Sequence, residues 1–231
     1  MAQEAASPDP AEPLTLALGP QLRVSGLWLL PPAASACYVL AHGAGAGMHH
    51  AFMQSAACTL AQHGIASLRF QFPYLERGAR RPDPPAVCHA TVRAAVSAAR
   101  ERAPALALFA GGRSFGGRMS SQAQALSPLP GVRGLVFLGF PLHPAGKPGV
   151  ERAAHLQAVH IPMLFVQGTH DALAERTLLL RVAQELGARA SVEWVADADH
   201  SFHVPARTGR RDAAVRETLL AGAAAWMQRH E

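Results

Sequence analysis

Lysine is almost absent from this chain. Lys147 stands alone beside 20 arginines, and the formal net charge is +5. The arginines are spread along the sequence with no basic run interleaved with aromatics, so the footprint of a nucleic-acid binder is missing. An arginine-for-lysine coding bias and a mildly basic, solvated surface account for the charge. Cysteine is scarce and odd in number. Cys37, Cys58 and Cys88 have no metal-ligand spacing and cannot make a disulfide framework, so free thiols in a reducing cytoplasm are expected. No apolar run approaches the roughly 18–20 residues of a membrane span, and no basic-then-apolar leader follows Met1. The expectation is a cytoplasmic protein with neither nucleic acid nor membrane as partner. Charged residues make up only 16% against 49% hydrophobic, which suits a sheet buried on both faces.

What is present is alternation. Residues 1–13, rich in proline, alanine and acidic side chains, read as a flexible tail, and 14–231 as a single domain with one sizeable core. Apolar runs at 14–18, 24–30, 37–41, 65–70, 105–110, 135–138, 163–166 and 192–195 predict strands. Helical patterns fall at 51–62, 87–102, 116–126, 173–186 and 211–229. Strand followed by helix over most of the length predicts an α/β fold, a mostly parallel twisted sheet with helices on both faces. Ligands of such sheets bind beyond the carboxyl ends of the strands.

The most informative stretch ends the run at 105–110 with Gly112-Arg113-Ser114-Phe115-Gly116, directly before a helix. Strand, sharp turn and helix expose a serine hydroxyl at a sheet edge, and the flanking glycines allow the close approach such a turn needs. The pentapeptide alone also fits a serine that merely caps a helix. A nucleophilic serine needs a base, and the base needs an orienting acid. Both follow at later strand ends: Asp171 after the run at 163–166, and His200 after the run at 192–195. Asp171 alone would also suit a helix cap, and His200 a surface loop. Three matching residue types at successive strand ends in this order single out Ser114, Asp171 and His200 as catalytic candidates. Asp197 and Asp199 are alternative acids, and His170 and His203 alternative bases.

A tetrahedral intermediate needs main-chain donors. The amide of Phe115 is one candidate and that of Ala44, in the Gly-rich loop at 42–47, the other. That loop is no dinucleotide fingerprint, since Met48 stands where glycine is required; nor is 112–119 a phosphate loop, since Arg118-Met119 replaces Lys-Ser/Thr. His42, His49 and His50 have no partner spacing for a metal, and His42 reads as a structural hydrogen-bonding residue. No metal or cofactor is expected. Arg113, Tyr74 and His143 are candidate substrate-binding side chains. Arg77, Arg80, Arg81, Arg118 and Lys147 also lie in or beside strand-end segments, as possible anion binders or partners in structural ion pairs.

Together these residues resemble the α/β-hydrolase superfamily from about residue 14 onward. Segments 42–47, 69–74, 80–82, 139–144 and 146–148 are similar to the small hydrolase-like subgroup that includes testis-expressed protein 30. The resemblance implies an eight-stranded-type sheet, a Ser114–Asp171–His200 triad and no cofactor. The same subgroup is related to a non-enzymatic subunit of a chromatin-acetyltransferase complex, so a non-catalytic scaffold or interaction domain is the alternative to an enzyme. The stretch from Gly139 to Pro162 has room for one short helix near 151–157, hence for a minimal lid or none. An open site suits a small or exposed acyl ester or thioester, cleaved at a rate that rises as His200 loses its proton near neutrality. Oligomeric state is not legible.

Overall fold

The computed structural model describes residues 11–231. Most of the expected tail therefore lies outside the described residues. Its last part does not: the first strand, β1, begins at Glu12 and runs to Ala17, and Ala11 before it is buried. The remaining strands are β2 (Arg23–Leu29), β3 (Ala36–Ala41), β4 (Ile65–Phe70), β5 (Ala107–Arg113), β6 (Val132–Leu138), β7 (Met163–Gly168) and β8 (Ala190–Val195). They form one eight-stranded sheet in the order β1-β2-β4-β3-β5-β6-β7-β8. β1 and β2 pair antiparallel and β2 meets β4 antiparallel, whereas β4 through β8 are parallel.

Helices α1 (Ala51–Gln62) and α6 (Asp212–Arg229) cover one face of the sheet, while α3 (Pro85–Arg102), α4 (Phe115–Leu126) and α5 (Arg176–Leu186) cover the other. A four-residue helix, α2 (Pro73–Glu76), precedes α3. Strand alternation sorts the core between these layers. Tyr38, Leu40, Phe109, Val136, Leu138 and Leu164 pack toward α1 and α6. Val39, Ala41, Ala110, Phe137 and Phe165 pack the opposite way.

The departures from the predicted elements have local causes. Glycine usually argues for a turn, yet β5 continues through Gly111 and Gly112 to Arg113. A Cβ on either glycine would collide with the carbonyl of Val136 or Ala41, so the neighbouring strands close only on bare backbone. β6 starts before the predicted 135 because Gly134 is the flat spot over which the Trp226 ring lies, 2.8 Å from where a Cβ would stand. α5 begins at Arg176, not 173, because the preceding residues form the turn around Asp171. α2 lies in a stretch read as loop, started by Pro73 at its first position.

Strand order reverses between β3 and β5: from β3 the chain steps outward to β4, then returns to β3's other side. Loops leaving the carboxyl ends of these two strands diverge, and the crevice between them is where an open α/β sheet offers a binding site. Between β6 and β7 the chain forms only a short 3-10 helix, Glu151–Ala158. No helix of the described residues is long and apolar enough to cross a membrane.

Candidate active site

Ser114 occupies the turn between β5 and α4 with φ 49° and ψ −113°, in the region that side-chain-bearing residues rarely adopt. Surrounding contacts hold it there. Its N–H donates to the Leu138 carbonyl at 3.2 Å, and its own carbonyl accepts from the Arg118 N–H at 3.2 Å. α4 presses against the end of β3 through Gly116, where a Cβ would lie 2.5 Å from the Ala41 carbonyl oxygen. The Ser114 hydroxyl therefore stands at the crevice, with the first turn of α4 behind it.

His200 and Asp171 converge on this hydroxyl. Ser114 Oγ lies 2.9 Å from His200 Nε2, and His200 Nδ1 lies 2.7 Å from Asp171 Oδ2. The carboxylate accepts at Nδ1, so that nitrogen carries the proton and Nε2 is left to accept from the serine hydroxyl. Asp171 is buried and filled with donors. Gln167 Nε2 donates to Oδ2 at 2.5 Å, and the Leu173 N–H donates to Oδ1 at 2.8 Å. Gln167 is itself oriented, its Oε1 accepting from the Phe140 N–H at 2.8 Å. This buried amide went unread in the sequence. The only signal for it was its place at the end of β7, four residues before the acid.

Asp197 and Asp199 do not reach the imidazole. Asp197 pairs with Arg210 at 3.1 Å, and Asp199 Oδ1 accepts from the N–H groups of Ser201 and His203 in its own loop. His203 is engaged with Asp212 at 2.8 Å.

The loop after β3 forms the opposite wall. His42 is buried at its root, its Nδ1 2.7 Å from the Gly43 carbonyl and its Nε2 accepting from the Phe72 N–H at 3.2 Å. Burial pushes its pKa down to about 4, so the ring stays neutral and keeps both contacts at ordinary pH. Beyond it, Ala44 and Ser114 border the same space. Among the described residues no protein acceptor takes the amides of Ala44 or Phe115, so both are free to donate to a ligand.

The three side chains expected to touch substrate are turned to other uses. Tyr74 is fully buried, and its hydroxyl accepts from the Gly45 N–H at 2.9 Å, bracing the loop from below. His143 is also buried, bonded to the Pro144 carbonyl at 2.9 Å and accepting from the Glu175 N–H at 3.3 Å. Arg113 borders the crevice, but its guanidinium lies between the rings of Phe52 and Phe202, with centroids 5.4 and 5.3 Å away. It donates to the carbonyls of Leu138, at 3.1 Å, and of His200. Arg113 thus clamps the loop that carries His200. Of the other strand-end cations, Arg77 pairs with Asp83 at 2.5 Å.

Two open clefts meet at Ser114. One, of about 300 Å³, is lined by Gly43, Ala46, His50, Phe52 and His200. The other, of about 400 Å³, is lined by Asp83, Phe115, Arg118, Pro141 and Arg152. Ala44, Ser114 and Leu173 belong to both walls. A larger groove of about 760 Å³ runs between β8 and α6, and neither Ser114 nor His200 lines it. Among the described residues no group of three or more His, Cys, Asp or Glu side chains is arranged to hold a metal ion. The arrangement can move a proton from a serine hydroxyl to a neutral imidazole held by a buried carboxylate, beside two unspent amides.

The family model described as alpha/beta hydrolase domain matches residues 34–228. Among solved structures, the chain is similar to a Xanthomonas campestris protein described as an α/β serine hydrolase without lid, at 23% identity and TM-score 0.71, covering 96% of this chain and 98% of that one. It is similar to dienelactone hydrolase from Anabaena variabilis at 18% identity and TM-score 0.75, covering 95% and 97%. The esterase domain of a Rhodothermus marinus protein matches at 17% identity and TM-score 0.72, covering 95% and 98%. At these identities the likeness is one of fold.

Proposed function

The chain belongs to the alpha/beta hydrolase domain family, and on that premise we propose that it is a serine hydrolase acting on an ester or thioester with a small or exposed acyl group. The observation that carries this reading is the continuous run of hydrogen bonds from Asp171 through His200 to Ser114. In the proposed reaction His200 Nε2 takes the Ser114 proton while Oγ attacks the carbonyl carbon. The negative oxygen that forms is held by the amides of Ala44 and Phe115. Collapse breaks the bond to the leaving alcohol or thiol, which receives the proton from His200. Water then attacks the acyl-enzyme by the same route and releases the acid.

The open clefts and the single 3-10 helix between β6 and β7 support a substrate that enters without a lid moving aside. The likeness of segments 42–47, 69–74 and 139–144 to the testis-expressed protein 30 subgroup supports placing the chain there. A scaffold would have no use for a buried acid held by Gln167 and the Leu173 N–H against one imidazole.

Steady-state hydrolysis of para-nitrophenyl acetate and an acetyl thioester tests the reading. Wild type should turn over at least one of them, and Ser114→Ala should lose about 10⁴-fold or more in kcat. Equal rates in the two proteins would overturn it.

A further inference from the structure

We propose that the cleft on the α4 side of Ser114 is a subsite for an anionic group of the substrate, a carboxylate in the simplest case, held by Arg118 and Arg152. This rests on the serine-hydrolase reading above and adds a substrate class to it. Three charged side chains line the cleft: Asp83, Arg118 and Arg152. Asp83 has a counter-charge in Arg77, which donates to its Oδ1 at 2.5 Å, while its Oδ2 is buried without a hydrogen-bond partner. That leaves two positive charges in one wall without a counter-charge.

Arg118 and Arg152 differ from three arginines that are engaged within the protein. Arg113 is spent on the carbonyls of Leu138 and His200, and Arg93 on those of Ala123 and Ser127. Arg210 has Asp197. Among the described residues, neither Arg118 nor Arg152 forms an ion pair or a side-chain hydrogen bond. The Nε of Arg118 is shielded from solvent yet has no hydrogen-bond partner. Its guanidinium lies over the Phe115 ring, 5.9 Å from the centroid. Burial and the charge of Arg152 both lower the Arg118 pKa, a strain that an incoming anion would relieve. His155, behind them, adds no charge at neutral pH: burial first, then Arg118 and His89, push it down to about 4.

Position completes the argument. Arg118 lies one helical turn beyond Ser114, and its amide bonds the Ser114 carbonyl. An ester whose carbonyl oxygen points at the Phe115 amide would bring a charge a few bonds away within reach of a planar, two-pronged donor.

Two matched ester pairs test this. Mono-para-nitrophenyl adipate and para-nitrophenyl hexanoate differ by a charge on the acyl side. Para-acetoxybenzoate and its methyl ester differ by a charge on the leaving-group side. Wild type should prefer the anionic member of one pair, and that pair identifies the side bound. In Arg118→Met and Arg152→Met the anionic-to-neutral ratio of kcat/KM should fall by about 10- to 100-fold, while Arg118→Lys should retain part of the preference. No preference in wild type, or an unchanged ratio in both Met variants, would overturn the subsite. Should wild type cleave none of the four, the hydrolase reading fails, and calorimetric titration of full-length protein with monomethyl adipate still decides the subsite. Binding that disappears in Arg118→Met supports it; no binding, or equal binding, overturns it.

Discussion

At the scale of single residues, the site works by denying each group an alternative. Asp171 is held by Gln167 and the Leu173 N–H with its Oδ2 on His200 Nδ1, which favours one orientation and one tautomer of the imidazole. Asp171→Asn places an amide among donors and favours the wrong tautomer. It should lower kcat by about 10³- to 10⁴-fold with little change in KM in steady-state assays. The buried imidazoles add an acid sensitivity. His42 and His155 are both held down to about 4 from an ordinary 6.5, mainly by burial. Between those values the unfolded chain takes up protons that the folded one refuses, so stability is present above 6.5 and falls as pH drops toward 4. For His42 the loss is on the order of 3 kcal/mol. Urea midpoints should fall from pH 7 to pH 4.5, and His155→Gln, which can still bond Ser121, should shrink the fall. An equal fall in the variant would count against His155 as a contributor. Ser114, Asp171 and His200 were legible because residue type and strand-end position constrain them. Tyr74 and His143, expected as substrate contacts, are buried and brace loops, and Arg113 lines the crevice while clamping the His200 loop, because sequence gives the position of a side chain and not the direction in which packing turns it.

At the scale of elements, the elbow between β5 and α4 is built on missing side chains. Gly116 lets the helix start against the end of β3, with the Ala41 and His42 carbonyl oxygens 2.5 and 2.6 Å from where its Cβ would be. Neither is the end of a flexible chain, so relief requires the helix or strand to move. Gly116→Ala should destabilise the fold by about 2 kcal/mol or more, read as a lower urea midpoint, and should displace Ser114 enough to lower activity. An unchanged midpoint would contradict the close approach. Gly111 and Gly112 explain why the end of β5 is hard to place: in the sequence they signal a turn, whereas in the sheet they are where two neighbouring strands close in. The alternation of strand and helix, by contrast, was legible throughout, since burial on both faces demands long apolar runs whatever the exact boundaries.

At the scale of the whole molecule, three loops from β5, β7 and β8 bring their residues to the crevice where strand order reverses. No side chain there has to be carried in by a lid. Two open clefts therefore flank one hydroxyl, and the positive charge in one of them comes from Arg118 and Arg152. The proposed anion subsite uses two of the 20 arginines, and sequence could not distinguish these from the arginines engaged elsewhere. The proposed hydrolase activity depends on Ser114 being the nucleophile. Labelling the full-length protein with a fluorophosphonate, followed by peptide mass spectrometry, tests this most directly. A single adduct on Ser114, absent from Ser114→Ala and strongly reduced in His200→Ala, is the expected result. No adduct on the wild type, or an adduct on another serine, would contradict it.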